Sequence, residues 1–319
     1  MTKNVRNMNS KNFGLRSSDC IKALHNAGRL AGLAINSTEG SYKSELTTFG
    51  RFLKEEQGLR DLRKVDESHI RAYGEYISER VENGTLALNS AHNYISTMNT
   101  AMSVARGNDD LRMTAVKDFG FPEKSGISTT NKAISQVEHD RITSQLNDRM
   151  SSIVQLQREL GLRLKESCLI NAKDVYKQAI KFGKVKIEDG TKGGREREVP
   201  IISSSQIEAL KVAAELQGEH YSMTPVDKTY IQFQRELYRE VCRGMHGERH
   251  HYAQDRYKQI TGVKSPIAAG VEHKLRYDFI AKELGITKTE AKRLDHEARM
   301  IVSSELGHGR IQITNSYLG

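Results

Sequence analysis

Between Cys20 and Val104, apolar residues return at helical spacing in four separate stretches: Cys20 to Ile35, Tyr42 to Leu53, Ile70 to Val81 and Leu86 to Val104. Each stretch runs into residues on which helices stop. Gly58 follows the second, Asn83 and Gly84 the third and Gly107 the fourth, and Asp66 stands where it can cap the third at its start. Short connections leave four amphipathic rods no way to hide their apolar faces except against one another. The first part of the chain is therefore expected to be a four-helix domain of roughly 90 residues.

After Gly107 the period is lost. Gly107, Gly120, Pro122, Gly126 and several Ser and Thr mark a linker at 108–132. From Gln136 to Leu160 the pattern is helical again, then changes: Val175 to Ile187 alternates apolar and polar around Gly183, and Glu196 to Ile201 ends at Pro200, which reads as three short strands. Helices resume at Ser205. With 319 residues the chain suits two domains. The expected fold is mostly α with a small three-stranded sheet (α+β), divided into 1–107, a linker at 108–132, and 133–319.

Lys and Arg total 49 against 40 Asp and Glu, a net charge of +9 that suits an acidic partner such as DNA. Three cysteines, Cys20, Cys168 and Cys242, are odd in number and share no short spacing, so neither a disulfide framework nor a zinc site is implied. No run approaches the ~18 apolar residues of a membrane span, and the first twenty residues lack the apolar core of a signal peptide. A soluble, cytoplasmic protein is expected. There is no Gly-x-x-x-x-Gly-Lys-Ser/Thr phosphate loop and no carboxylate cluster for a two-metal nuclease, so no cofactor and no metal are expected.

Four short segments carry the chemistry. Leu306-Gly307-His308-Gly309-Arg310 is followed by Thr314 and by Tyr317, nine residues after His308. Leu160-Gly161-Leu162-Arg163-Leu164-Lys165-Glu166 opens a helix, and alone it would read as a solvated Arg163–Glu166 pair at i,i+3. Gly190-Thr191-Lys192-Gly193-Gly194-Arg195 is a glycine-rich turn between strands. His-x-x-Arg occurs twice, as His246-Gly247-Glu248-Arg249-His250 and as His273-Lys274-Leu275-Arg276.

In order and local context these segments resemble the boxes of tyrosine recombinases, the phage-type integrases, from Gln136 to the end; the N-terminal helices resemble the family's DNA-gripping domain by architecture alone. The resemblance implies a core-binding domain followed by a catalytic domain, with Tyr317 as nucleophile and Arg163, Lys192, His246, Arg249 and His308 as its catalytic partners. The first His-x-x-Arg is favoured because His250 and Ala253 follow it, which implies an insertion around Thr261 to His296; the pair His273 and Arg276 stays open as the alternative. Two arginine forks suit the oxygens of a phosphodiester under attack, His308 adds a donor, His246 can take the tyrosine proton, and Lys192 can protonate the leaving 5′ oxygen.

The family's mode of action implies double-stranded DNA as substrate, a homo-tetramer on two DNA sites, a clamp of the two domains around each duplex, a nucleoid-associated location, and integration or excision of a mobile element. No small-molecule substrate and no membrane are implied. The chain stops two residues after Tyr317, where many relatives continue into a tail; either the chain is shortened here or subunits couple through another element, with the insertion after Tyr257 a candidate. A catalytically inactive DNA-binding relative, a type IB topoisomerase and a telomere resolvase remain as alternatives.

Overall fold

A computed structural model describes residues 6–33, 39–240 and 245–319. The chain divides into two compact units, 1–125 and 126–319. In the first, the described helices are α1 (Cys20–Leu30), α2 (Glu39–Glu55), α3 (Glu67–Glu82) and α4 (Leu88–Arg106). Asp19 caps α1 by accepting from the Lys22 amide, and Asp66 caps α3 by accepting from His69. The stretch expected to run to Ile35 closes at Leu30, with Gly32 at φ +74° behind it; Ile35 lies outside the described residues. Leu24, Leu46, Phe49, Tyr73 and Ile95 fill the interior, Phe49 and Tyr73 with ring centres 4.7 Å apart. Met113, Ala115 and Phe121, from the stretch read as a linker, are buried against the same core, and Asn99 exchanges hydrogen bonds with the backbone of Met113.

The second unit contains α5 (Gln136–Thr143), α6 (Asp148–Leu160), α7 (Leu164–Leu169), α8 (Ala172–Phe182), β1 (Lys184–Ile187), β2 (Arg197–Pro200), α9 (Ser204–Gln217), α10 (Tyr230–Glu240), α11 (His246–Thr261), α12 (Arg276–Leu284), α13 (Lys288–Glu305) and the single turn α14 (Asn315–Leu318). Helix α6 runs through its centre against α9 and α11, burying Met150, Ile153, Val154, Leu156 and Leu160. What read as one helix from Gln136 to Leu160 is two, because Asn147 accepts from the Met150 amide and starts α6 afresh.

The three-stranded sheet is corrected to two strands among the described residues, paired antiparallel with Val185 opposite Val199 and Ile187 opposite Arg197. The stretch from Val175 is helical. Ala172, Val175 and Ala179 bury one face of α8, Asn171 caps its start, and Gly183, read as the centre of an alternating segment, is the left-handed residue that ends the helix at φ +63°. Cys20 and Cys168 are buried free thiols; Cys242 lies outside the described residues. No helix among the described residues is long and apolar enough to cross a membrane.

Candidate active site

The turn from α6 into α7 leaves no space for anything larger than glycine. Gly161 has φ +61°, and a Cβ there would meet the Tyr252 ring at 2.6 Å and Leu306 at 3.0 Å. The chain then delivers Arg163 just ahead of α7, where its backbone N–H donates to Glu166 Oε2 at 2.7 Å and its Nη1 to Oε1 at 2.6 Å. Glu166 is fully buried. Arg197, on β2, grips the same carboxylate with both terminal nitrogens at 3.0 and 2.6 Å, and Arg249 Nη1 lies 3.9 Å away. One anion thus stands among three guanidinium groups. Burial pushes the Glu166 carboxyl upward, but the hydrogen bonds and charge of Arg197, joined by Arg163, outweigh it and hold its pKa below the ordinary value.

That arrangement sets an expected result. Glu166→Gln leaves the surrounding cations uncompensated in the interior and should lower the unfolding free energy by about 3–5 kcal/mol at neutral pH. Because the folded-state pKa is depressed, the stabilisation is complete above the unfolded-state value near 4.3 and is lost as pH falls through the folded one. Urea unfolding should therefore show the gap between wild type and variant closing on acidification below that value. A gap that stayed constant into acid would mean that Glu166 stabilises by shape alone.

Helix α11 supplies the next residues at its first turn. Arg249 is fully buried and donates to the carbonyls of Gly161 and Leu306, with its Nε 3.4 Å from the Tyr317 hydroxyl. His246 Nε2 lies 3.4 Å from the same hydroxyl, and the His250 ring packs on the tyrosine ring at 4.6 Å between centres. After α13, Gly307 turns the chain at φ +65° and brings the His308 ring to 5.6 Å from that of Tyr317. His308 Nε2 is buried and has no hydrogen-bond partner among the described residues. Burial, reinforced by Arg249 and Arg163, lowers the pKa of His246 to about 4 and of His308 to about 3. Burial, with His246 and Lys132 behind it, brings His250 to about 4. All three rings are neutral at neutral pH, so His246 can accept a proton.

Tyr317 forms part of the wall of an open cleft of about 580 Å³, together with Arg163, Lys192, Arg195, His308 and Arg310. Lys192 sits exposed on a 3-10 turn, Lys192–Gly194, whose Gly193 takes φ +72°, and it forms no ion pair among the described residues. The structure thus gathers Arg163, His246, Arg249, His308 and Tyr317, with Lys192 lining the same cleft. It does not bring the second His-x-x-Arg there. Arg276 donates to the His273 carbonyl at 2.6 Å and the Tyr277 hydroxyl at 2.5 Å, and approaches Asp295 at 3.4 Å. Arg197 escaped the sequence reading; its signal was a charge in phase with Val199 on the buried face of β2.

Residues 123–280 match the integrase family. No curated protein is significantly similar in sequence. Among solved structures, the XerH site-specific recombinase, in a post-cleavage complex with its palindromic difH substrate, superposes with a TM-score of 0.51 at 16% identity, covering 93% of this chain and 81% of that one. The Tn1549 transposon integrase, solved with a circular intermediate DNA, gives 0.51 at 12% identity over 93% and 94% of the two chains. At such identities the likeness shows the fold. Residues 123–280, which hold Arg163, Lys192, His246 and Arg249, are thus a segment of the integrase family, and the chain shares its fold with these two recombination enzymes.

Proposed function

We propose that this chain is a site-specific DNA recombinase that cuts and rejoins strands through a covalent bond to Tyr317. The observation that carries the reading is the placement of one phenol: its hydroxyl lies 3.4 Å from both Arg249 Nε and His246 Nε2, in the wall of a cleft that Arg163 and Lys192 also line. His246, neutral at neutral pH, takes the phenolic proton as the oxygen attacks phosphorus. Arg163 and Arg249 stabilise charge gathering on the non-bridging oxygens, and Nε2 of His308, which has no partner among the described residues, adds a donor there. The P–O5′ bond breaks as the P–O bond to tyrosine forms, and Lys192 protonates the departing 5′ oxygen. The resulting 3′-phosphotyrosine keeps the energy of the broken linkage, so a different 5′ hydroxyl can reverse the step on a new strand.

On this reading the N-terminal unit grips double-stranded DNA, and subunits act as a homo-tetramer on two sites to integrate or excise a mobile element in the nucleoid. A nicked duplex that loses its short 5′ fragment after cleavage tests it, since religation is then blocked and the adduct accumulates. The expected result is a DNA-linked peptide containing Tyr317, and exchange of segments between two sites on a circle. Relaxed circles without exchange would indicate a topoisomerase instead, and binding without any adduct an inactive relative.

A further inference from the structure

The segment between the two final boxes, with its own His-x-x-Arg, does not line the cleft around Tyr317, yet its hydrogen bonds lead to the turn that carries the tyrosine. Asp295 of α13 is buried and receives Tyr257 Oη at 2.8 Å and Arg276 Nε at 3.4 Å. Arg299, one turn further along and also buried, donates its Nε to both Asp295 oxygens at 2.9 Å. Its two remaining nitrogens leave the network: Nη1 donates to Asn315 Oδ1 at 3.0 Å and Nη2 to the Gly319 carbonyl at 2.8 Å. Those acceptors are the first residue of α14 and the residue just after it. Tyr317 lies between them.

A helix of one turn cannot hold itself in water, because nucleation costs more than its few hydrogen bonds return. The position of α14 must come from outside it. Gln254 Nε2 donates to the Tyr317 carbonyl at 3.1 Å and the Ile267 amide to the Leu318 carbonyl at 3.0 Å, but Arg299 is the side chain that spans the turn from end to end. We infer that Arg299 is a positioning residue for the nucleophile, and that the segment carrying Arg276 and Asp295 exists to orient its guanidinium. The inference rests on Tyr317 being the nucleophile. Arg299 is kept in place by Asp295, whose charge Arg276 and Tyr257 also satisfy, so replacing Arg299 does not leave that carboxylate alone in the interior.

The test separates placing the tyrosine from building the pocket. The substrate is a nicked duplex captured covalently by the wild-type full-length chain from a randomised pool. At saturating duplex, Arg299→Gln should slow adduct formation by about a hundredfold, the scale of a misplacement near 1 Å, with the half-saturating DNA concentration unchanged. Arg299→Lys, which reaches one of the two acceptors, should fall between. Asn315→Ala should slow the step less and add nothing on top of Arg299→Gln, since both remove the same contact. In the Tyr317→Phe background, hydrogen peroxide serves as an external nucleophile that attacks phosphorus and releases the 5′ hydroxyl. Adding Arg299→Gln should leave that cleavage unchanged, whereas adding Arg163→Ala should abolish it. Adducts at the wild-type rate in Arg299→Gln, or equal losses with tyrosine and with peroxide, would overturn the role. A wild-type chain that captured no duplex would overturn the proposed function and this role with it.

Discussion

Tyr317→Phe is expected to abolish covalent protein–DNA adducts while leaving DNA affinity within about twofold, because affinity rests on many phosphate contacts and not on one phenol. The variant should also fold normally. The hydroxyl makes two long contacts, 3.4 Å each, whose loss costs about 1 kcal/mol or less. The ring keeps its packing against His250. Binding is read by titration of a labelled duplex, and chemistry by denaturing gels that retain the adduct. Adducts that persisted in this variant would place the nucleophile elsewhere in the chain.

The second large effect concerns the duplicated His-x-x-Arg. Arg249→Lys should reduce single-turnover cleavage by about 10²–10³, the cost of removing a preorganised donor from an anionic transition state. A lysine ammonium cannot span the Gly161 and Leu306 carbonyls and also face the phenol, as the guanidinium of Arg249 does. Arg276→Lys should change the rate only a few-fold, since a point charge still satisfies Asp295. Both are compared at saturating nicked DNA and well below each variant's unfolding temperature, so that neither weak binding nor unfolding imitates lost chemistry. The reverse ranking would assign the site to Arg276.

The boxes were legible because each is a local pattern: a residue spacing, a glycine where the backbone must turn, a histidine at a fixed distance from a tyrosine. Helix ends were legible where a cap is written into the sequence, as with Asp66 and Gly107. What stayed hidden depends on what packs where. The Arg163–Glu166 spacing is the same on a wet surface as in the core, and only the arrival of Arg197 and Arg249 from distant segments explains a carboxylate with no exposure at all. The run from Val175 to Phe182 is short enough to satisfy a strand or a helix, and Gly183 serves either as a turn or as a helix end. Choosing between the two His-x-x-Arg segments required knowing which arginine reaches Gly161 and Leu306, residues 88 and 57 positions away in sequence.

Arg249 has a further consequence through those two carbonyls. It joins the turn after α6 to the end of α13 from inside the core, so the groups that would cut DNA come together only when segments far apart in sequence have already packed. Under the proposed function, folding and arming of the site are then one cooperative event. On that reading a nascent or partly unfolded chain carries no assembled cutting centre, and its encounters with DNA would leave no broken strands.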